Sequence, residues 1–143
     1  MARYALVVAR FYEDLAARLE AGARAVFEGE EGGEVEVFDV PGAYELGQAA
    51  SYAAATGRFR GIACLGVVIR GETDHYDHVC AAATRGVQEA GLASGVPVGF
   101  GVLTVDSREQ ALARSGGGKR DSGAAAARAV LALAGIRERT ATR

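Results

Sequence analysis

Residues Ile62–Cys80 read IACLGVVIRGETDHYDHVC, an apolar run that ends in Arg70-Gly71-Glu72-Thr73-Asp74 and passes at once into a helical pattern from His75. The run is long enough for a buried strand, the glycine marks a turn, and the helix begins with a titratable group. A helix N-terminus carries unpaired N–H groups and the positive end of the helix dipole, so such a corner suits an anion. A histidine beside a bound anion can move protons near neutral pH. This one segment therefore predicts a strand–turn–helix unit of an α/β protein and an anion seat with its own acid/base.

Outward from that unit the same alternation repeats. Tyr4–Ala9 is an apolar strand, and Phe11–Phe27 places Leu15, Leu19, Ala23 and Val26 at helical spacing until Gly29 and Gly32-Gly33 break it. Val35–Val40 is a second strand, closed by Pro41-Gly42, and the alanine-rich Ala43–Ala55 is a helix ending near Gly57. Gly61–Ile69 is the third strand and His75–Ala90 the next helix, with Val79, Cys80, Ala83, Val87 and Ala90 on one stripe. Val96–Leu103 is the fourth strand, Arg108–Arg114 a short helix, and Ser122–Leu133 a last helix with Gly135 as its expected stop. Strands apolar throughout need cover on both faces. The expectation is a three-layer α/β sandwich: one four-stranded, mostly parallel sheet between two helix layers, in a single domain over residues 1–143.

The 143 residues are 50% hydrophobic, which excludes disorder, and 16 Lys and Arg stand against 18 Asp and Glu. That near-neutral balance argues against a nucleic-acid or anionic-membrane surface. Cys64 and Cys80 have neither disulfide-framework nor metal-ligand spacing and read as reduced core residues, and no metal or other cofactor is called for. The N-terminus lacks a cleavable signal and no span reaches membrane length, so the expected location is the cytoplasm.

In parallel sheets ligands sit beyond the carboxyl ends of the strands. Phe11, Gly42–Glu45, Val67–His75 and the region after Leu103 then share one rim. Each candidate has a plain alternative. Phe11 either stacks on a planar ring or tucks under the first helix. Glu45 either accepts hydrogen bonds from a polyol or complements the helix dipole. Gly71, Glu72 and Thr73 before His75 form either an anion seat or an ordinary capped turn. Phe100, between Gly99 and Gly101, is a core aromatic or marks close approach of a ligand or backbone. Arg114, Lys119 and Arg120 surround a glycine run and either reach a phosphate or are solvated.

Four landmarks together resemble the lumazine synthase family of riboflavin biosynthesis: Ala9-Arg10-Phe11, Val40–Glu45, Gly66–Tyr76 and Phe100–Val105. The similarity runs from about Tyr4 to Leu133. The resemblance implies a flavodoxin-like fold and a cofactor-free transferase. Its reaction joins 5-amino-6-(D-ribitylamino)uracil to 3,4-dihydroxy-2-butanone 4-phosphate through an imine, phosphate elimination and ring closure. It further implies that Phe11 stacks on the pyrimidine, that Ala43, Tyr44 and Glu45 hold the ribityl chain and ring, and that Val67, Val68 and Ile69 line the pyrimidine pocket. Gly71, Glu72, Thr73 and Arg114 would bind phosphate, His75 would donate the proton, and Phe100 would come from the neighbouring subunit.

The chain departs from the family pattern in two places. Tyr12 stands where many members have Asn, and Ser122 where many have Lys, with Lys119 and Arg120 as possible substitutes. Members that build sixty-subunit shells carry a longer N-terminal arm. With Met1–Arg3 alone before the first strand, a homo-oligomer of the pentamer or decamer type is expected. The alternative function is a catalytically weak lumazine- or flavin-binding or scaffold homologue.

Overall fold

A computed structural model describes residues 2–141. Strands β1 (Arg3–Ala9), β2 (Glu34–Val40), β3 (Gly61–Ile69) and β4 (Val98–Val105) form one sheet in the order β2-β1-β3-β4. Every pairing is parallel. The helices are α1 (Glu13–Glu28), α2 (Leu46–Ala55), α3 (His75–Ser94), α4 (Arg108–Arg114) and α5 (Ser122–Ala141), and a 3₁₀ turn over Ala43–Glu45 precedes α2.

The alternation of side chains along β1 shows why both faces need helices. Tyr4, Leu6 and Val8 pack with Leu15, Leu19 and Phe27 of α1 and Ala126, Ala127 and Val130 of α5. Ala5, Val7 and Ala9 pack on the other side with Leu46 and Ala50 of α2 and Ala83, Val87 and Ala90 of α3. All six residues from Tyr4 to Ala9 are buried, so a strand with no polar position after Arg3 belongs at the middle of the sheet. The buried Tyr4 ring stacks on Phe27 at 4.2 Å, and its hydroxyl accepts a hydrogen bond from Arg60 Nη1 at 2.7 Å.

Small residues set the spacing of the helices. Gly47 of α2 lies against the backbone of Gly86 in α3, and Gly123 of α5 lies against the backbone of Leu19 in α1. On β4, a Cβ at Gly99 would meet Ala126 O at 2.4 Å and one at Gly101 would meet the Ala126 Cβ at 2.9 Å. The close approach foreseen around Phe100 is therefore helix backbone on strand, on the face opposite its ring.

Element boundaries differ from the sequence expectation in physically simple ways. Helix α3 continues to Ser94 because the stop is Gly95, which takes the left-handed conformation at φ 75°. Strand β4 starts at Val98, since Val96 is held in the turn by an N–H bond to Ser94 Oγ at 3.0 Å. Gly135 does not end the last helix. It has no positive φ, α5 runs on to Ala141, and Glu138 beyond it is held by Arg60 at 2.9 Å. The real signal in that region is Asp121, whose Oδ1 accepts from Ala124 N–H at 3.0 Å and caps the start of α5.

Cys64 is fully buried and its thiol is pushed up to about 12 by that burial. Cys80 is a correction to the core reading, because it is only half-buried at the edge of the α2/α3 side. Among the described residues, no helix is long and apolar enough to cross a membrane. Of the short N-terminal segment, Met1 lies outside the described residues.

Candidate active site

The carboxyl ends of β1, β2 and β3 open into a cleft of about 690 Å³. Of the residues singled out from sequence, it brings together Phe11, Ala43, Tyr44, Glu45, Val67, Val68, Ile69, Gly71, Thr73 and His75. The polarity of a parallel sheet is the reason: each βα turn leaves the same end of the sheet.

Phe11 is 73% exposed, so the reading in which it tucks under α1 is wrong. Its ring meets Tyr12 edge-on, with centroids 4.9 Å apart at 84°. Behind it, Arg10 donates to Asp39 at 2.8 Å, to Glu20 at 2.6 Å and to Glu13 at 3.2 Å. Burial works against the Arg10 charge, but the bonds to Asp39 and Glu20 outweigh it and hold its pKa above the ordinary value.

At the second turn the Glu45 carboxylate reaches back to Gly42 N–H at 3.0 Å, half of a capping box. That bond satisfies the Gly42 N–H and ties the carboxylate to the turn at the cleft wall. Ala43 is buried beneath it, while Tyr44 is 66% exposed.

At the third turn the N–H groups of Gly71, Glu72, Thr73 and Asp74 find no acceptor within the described residues, whereas His75 N–H bonds to Thr73 Oγ1 at 3.3 Å. Asp74 occupies the cap position of α3 without using its carboxylate there. Instead it approaches His78 at 3.6 Å. Four free N–H groups ahead of a long helix form an anion seat in the physical sense. His75 is exposed and lines the cleft beside them, while Glu72 is exposed and does not line it. The turn is strapped from outside by Arg70, which pairs with Asp106 at 2.9 Å and lies over the Tyr76 ring at 4.3 Å. The Tyr76 phenol is pushed up from its ordinary value, chiefly by burial.

Phe100 and Arg114 do not line this cleft. Phe100 is 42% exposed on β4, opposite Cys64 in register, so it is not a core aromatic. Arg114 ends α4 with Nη1 on Gln110 O at 3.1 Å, and among the described residues it has no acidic partner. The loop after it is held by Arg18, which donates to Ser115 Oγ at 2.9 Å, to Leu112 O at 3.3 Å and to Gly116 O. Lys119 and Arg120 are exposed and also outside the cleft.

Tyr12, Tyr76 and Val79 line the cleft without having been singled out as site residues. The signal for Val79 was available, since the residue four beyond His75 shares its side of a helix, and Tyr76 adjoins His75 directly. For Tyr12 the signals were adjacency to Phe11 and its departure from the family pattern at that position. The result is a largely apolar slot with one carboxylate and one imidazole among its lining residues and a turn of unpaired N–H groups at its edge.

Residues 1–138 match the family model described as 6,7-dimethyl-8-ribityllumazine synthase. A protein of that name from Erythrobacter litoralis is 45% identical over 139 residues, covering 97% of this chain and 98% of that protein. Its counterpart from Kineococcus radiotolerans is 46% identical over 140 residues, 94% of this chain and 86% of that protein. The chloroplastic protein of the same name from Spinacia oleracea is 45% identical over 137 residues, and this chain spans 62% of its length. Matched along nearly its whole length, the chain belongs to the 6,7-dimethyl-8-ribityllumazine synthase family.

Proposed function

We infer that this chain is a working lumazine synthase, a transferase of riboflavin biosynthesis. It condenses 5-amino-6-(D-ribitylamino)uracil with 3,4-dihydroxy-2-butanone 4-phosphate. The observation that carries this reading is the convergence of Phe11, Ala43–Glu45, Val67–Ile69 and the open N–H groups of the Gly71–Asp74 turn on one cleft beside His75.

In the proposed sequence the uracil's 5-amino group attacks the ketone, and loss of water gives an imine. Phosphate then leaves, and ring closure with loss of a second water gives the lumazine. Phe11 stacks on the pyrimidine, and backbone groups of Val67, Val68 and Ile69 meet its edge. Tyr44 and Ala43 flank the ribityl chain, and the Glu45 oxygen not bonded to Gly42 takes its hydroxyls. The N–H groups of Gly71, Glu72 and Thr73 with the Thr73 hydroxyl hold the phosphate, and His75 carries the proton. Holding two substrates in line is the larger contribution, of order 7–11 kcal/mol in favourable cases. Proton transfer by a placed imidazole adds about 10²–10⁴-fold.

Phe100 and Arg114 complete the site from a neighbouring subunit, with Phe100 on the ring and Arg114 on the phosphate. Their position outside the cleft of one chain supports a site shared across an interface of a homo-oligomer. We assign a pentamer or decamer and a cytoplasmic location, with the chain acting as one domain.

The test is incubation with both substrates while lumazine fluorescence is followed, with mass photometry on the same sample. Growth of fluorescence at the rate phosphate is released is the expected result. A flat trace with riboflavin bound would replace the enzyme by a binding protein, and a flat trace without binding would leave a scaffold.

A further inference from the structure

On the ring-stacking side of the cleft Phe11 stands open to water, while its neighbour Tyr12 packs on the core. Phe11 is mostly exposed, and its turn, between the end of β1 at Ala9 and the start of α1 at Glu13, is anchored at few points. Arg10 N–H bonds to Val40 O at 2.9 Å, and Ala16 N–H bonds to Tyr12 O at 2.8 Å. Tyr12 packs against the core and meets Phe11 edge-on, and the Arg10 guanidinium supplies the polar tie. That guanidinium is one planar fork serving three carboxylates on two elements: Nη2 to Glu20 on α1, Nη1 to Glu13 at the head of α1, and Nε to Asp39 at the end of β2. Its side chain is 21% exposed, and that of Glu20 is 20%. Asp39 and Glu13 are open to water, where ion pairs add little to global stability. What the fork does do is geometric. It joins the turn carrying Phe11 to the strand that runs directly into Pro41, Gly42 and the Ala43–Glu45 turn.

We propose that Arg10 is a positioning residue for the ring-and-ribityl half of the site, fixing Phe11 relative to Ala43–Glu45. The proposal rests on the function proposed above. A lysine keeps the charge but offers a single ammonium on a flexible stem, so it cannot hold three carboxylates in a plane. The half of the cleft around Gly71–His75 is tied separately by Arg70 and Asp106 and does not depend on Arg10.

The experiment compares wild type with Arg10→Lys and Asp39→Asn. Arg60→Lys serves as control, because Arg60 binds Glu138 and Tyr4 at the opposite end of the strands. Thermal midpoint, both KM values and kcat are measured, together with binding of a 5-nitro analogue of the ribitylaminouracil, which lacks the nucleophilic amine. The expected result for Arg10→Lys is a rise of about tenfold in KM for the uracil and in the analogue's Kd. KM for the ketone phosphate should stay within about twofold. Asp39→Asn should shift the same constants less, and Arg60→Lys should lower the midpoint without the split. If both KM values move together, or the midpoint falls with neither moving, Arg10 is structural only and the proposal is overturned. A wild type that binds the analogue without turnover defeats the enzyme reading, while the analogue's Kd in Arg10→Lys against Arg60→Lys still decides the Arg10 role. A wild type that does neither overturns both.

Discussion

Replacing Gly47 with alanine tests the link between helix packing and the cleft directly. Gly47 is buried in the first turn of α2, and a Cβ there would sit 2.6 Å from the Cα and carbonyl carbon of Gly86 in α3. Both neighbours are backbone, so nothing can swing aside. Carbon atoms normally rest about 3.5–4.0 Å apart, so α2 and α3 must separate by about 1 Å. Overpacking of this kind costs about 1–3 kcal/mol, and the better helix propensity of alanine returns at most about 1 kcal/mol. The expected loss of about 1–2 kcal/mol corresponds to a fall in Tm of roughly 3–8 °C. The displacement also reaches the chemistry. Helix α2 continues from the turn holding Glu45, and α3 opens at His75, so the two helices set the distance across the cleft. A misplacement of about 1 Å can lower kcat/KM by about 10²-fold. The reciprocal change supplies the control. A Cβ at Gly86 lies 3.3 Å from Gly47 Cα, a tight fit but one that needs only tenths of an ångström, and alanine is favoured in mid-helix. Gly86→Ala should therefore stay near wild type in both respects. Far-UV circular dichroism melts and initial rates of lumazine formation, taken well below either midpoint, read the two effects. Equal losses for the two variants would refute the packing argument, and a destabilised Gly47→Ala with unchanged kcat/KM would refute its link to the cleft.

Other outcomes are equally open to measurement. His75→Ala should fold normally, since the imidazole is exposed, and should lose about 10²–10⁴-fold in turnover; full activity in an assembled variant removes its role as proton carrier. Arg114→Ala should raise KM for the phosphorylated ketone well above any change for the uracil, and an equal rise for both ends the phosphate assignment. Stability should fall on the alkaline side because of Cys64. Its folded value, about 12, lies above the ordinary 9.0, so the unfolded chain ionises first as pH rises past 9.0. The stability that burial contributes is present below that pH and lost toward about 12; in urea titrations a Cys64→Val variant should show a flatter alkaline limb.

The strands and their order of appearance were legible because β1 and β3 are apolar without interruption, which admits only a sheet covered on both sides. The rim was legible for the same reason, since strand polarity places Phe11, Ala43–Glu45 and Gly71–His75 together without further information. Helix ends were read less well. Gly95 stops α3 by taking the left-handed conformation and Gly135 does not take it, a difference that residue type alone does not show. The Arg10 fork lay outside a linear reading altogether: its partners Glu20 and Asp39 are ten and twenty-nine positions away and meet only when β1, α1 and β2 assemble. Phe100 illustrates a different limit. Its flanking glycines announced close packing, but which face received the helix and which was left open depends on α5, far along the chain.

An all-parallel sheet also gives the molecule two unlike ends. The turns at Gly29–Gly33, Thr56–Arg60 and Gly95–Pro97 all lie where strands begin, and none of their residues lines the cleft. Insertions, fusions or a relocated pair of chain termini at those turns would leave the Phe11, Glu45 and His75 turns untouched. The fold thus confines the cleft to one pole and leaves the other as its ground for evolutionary and engineered variation.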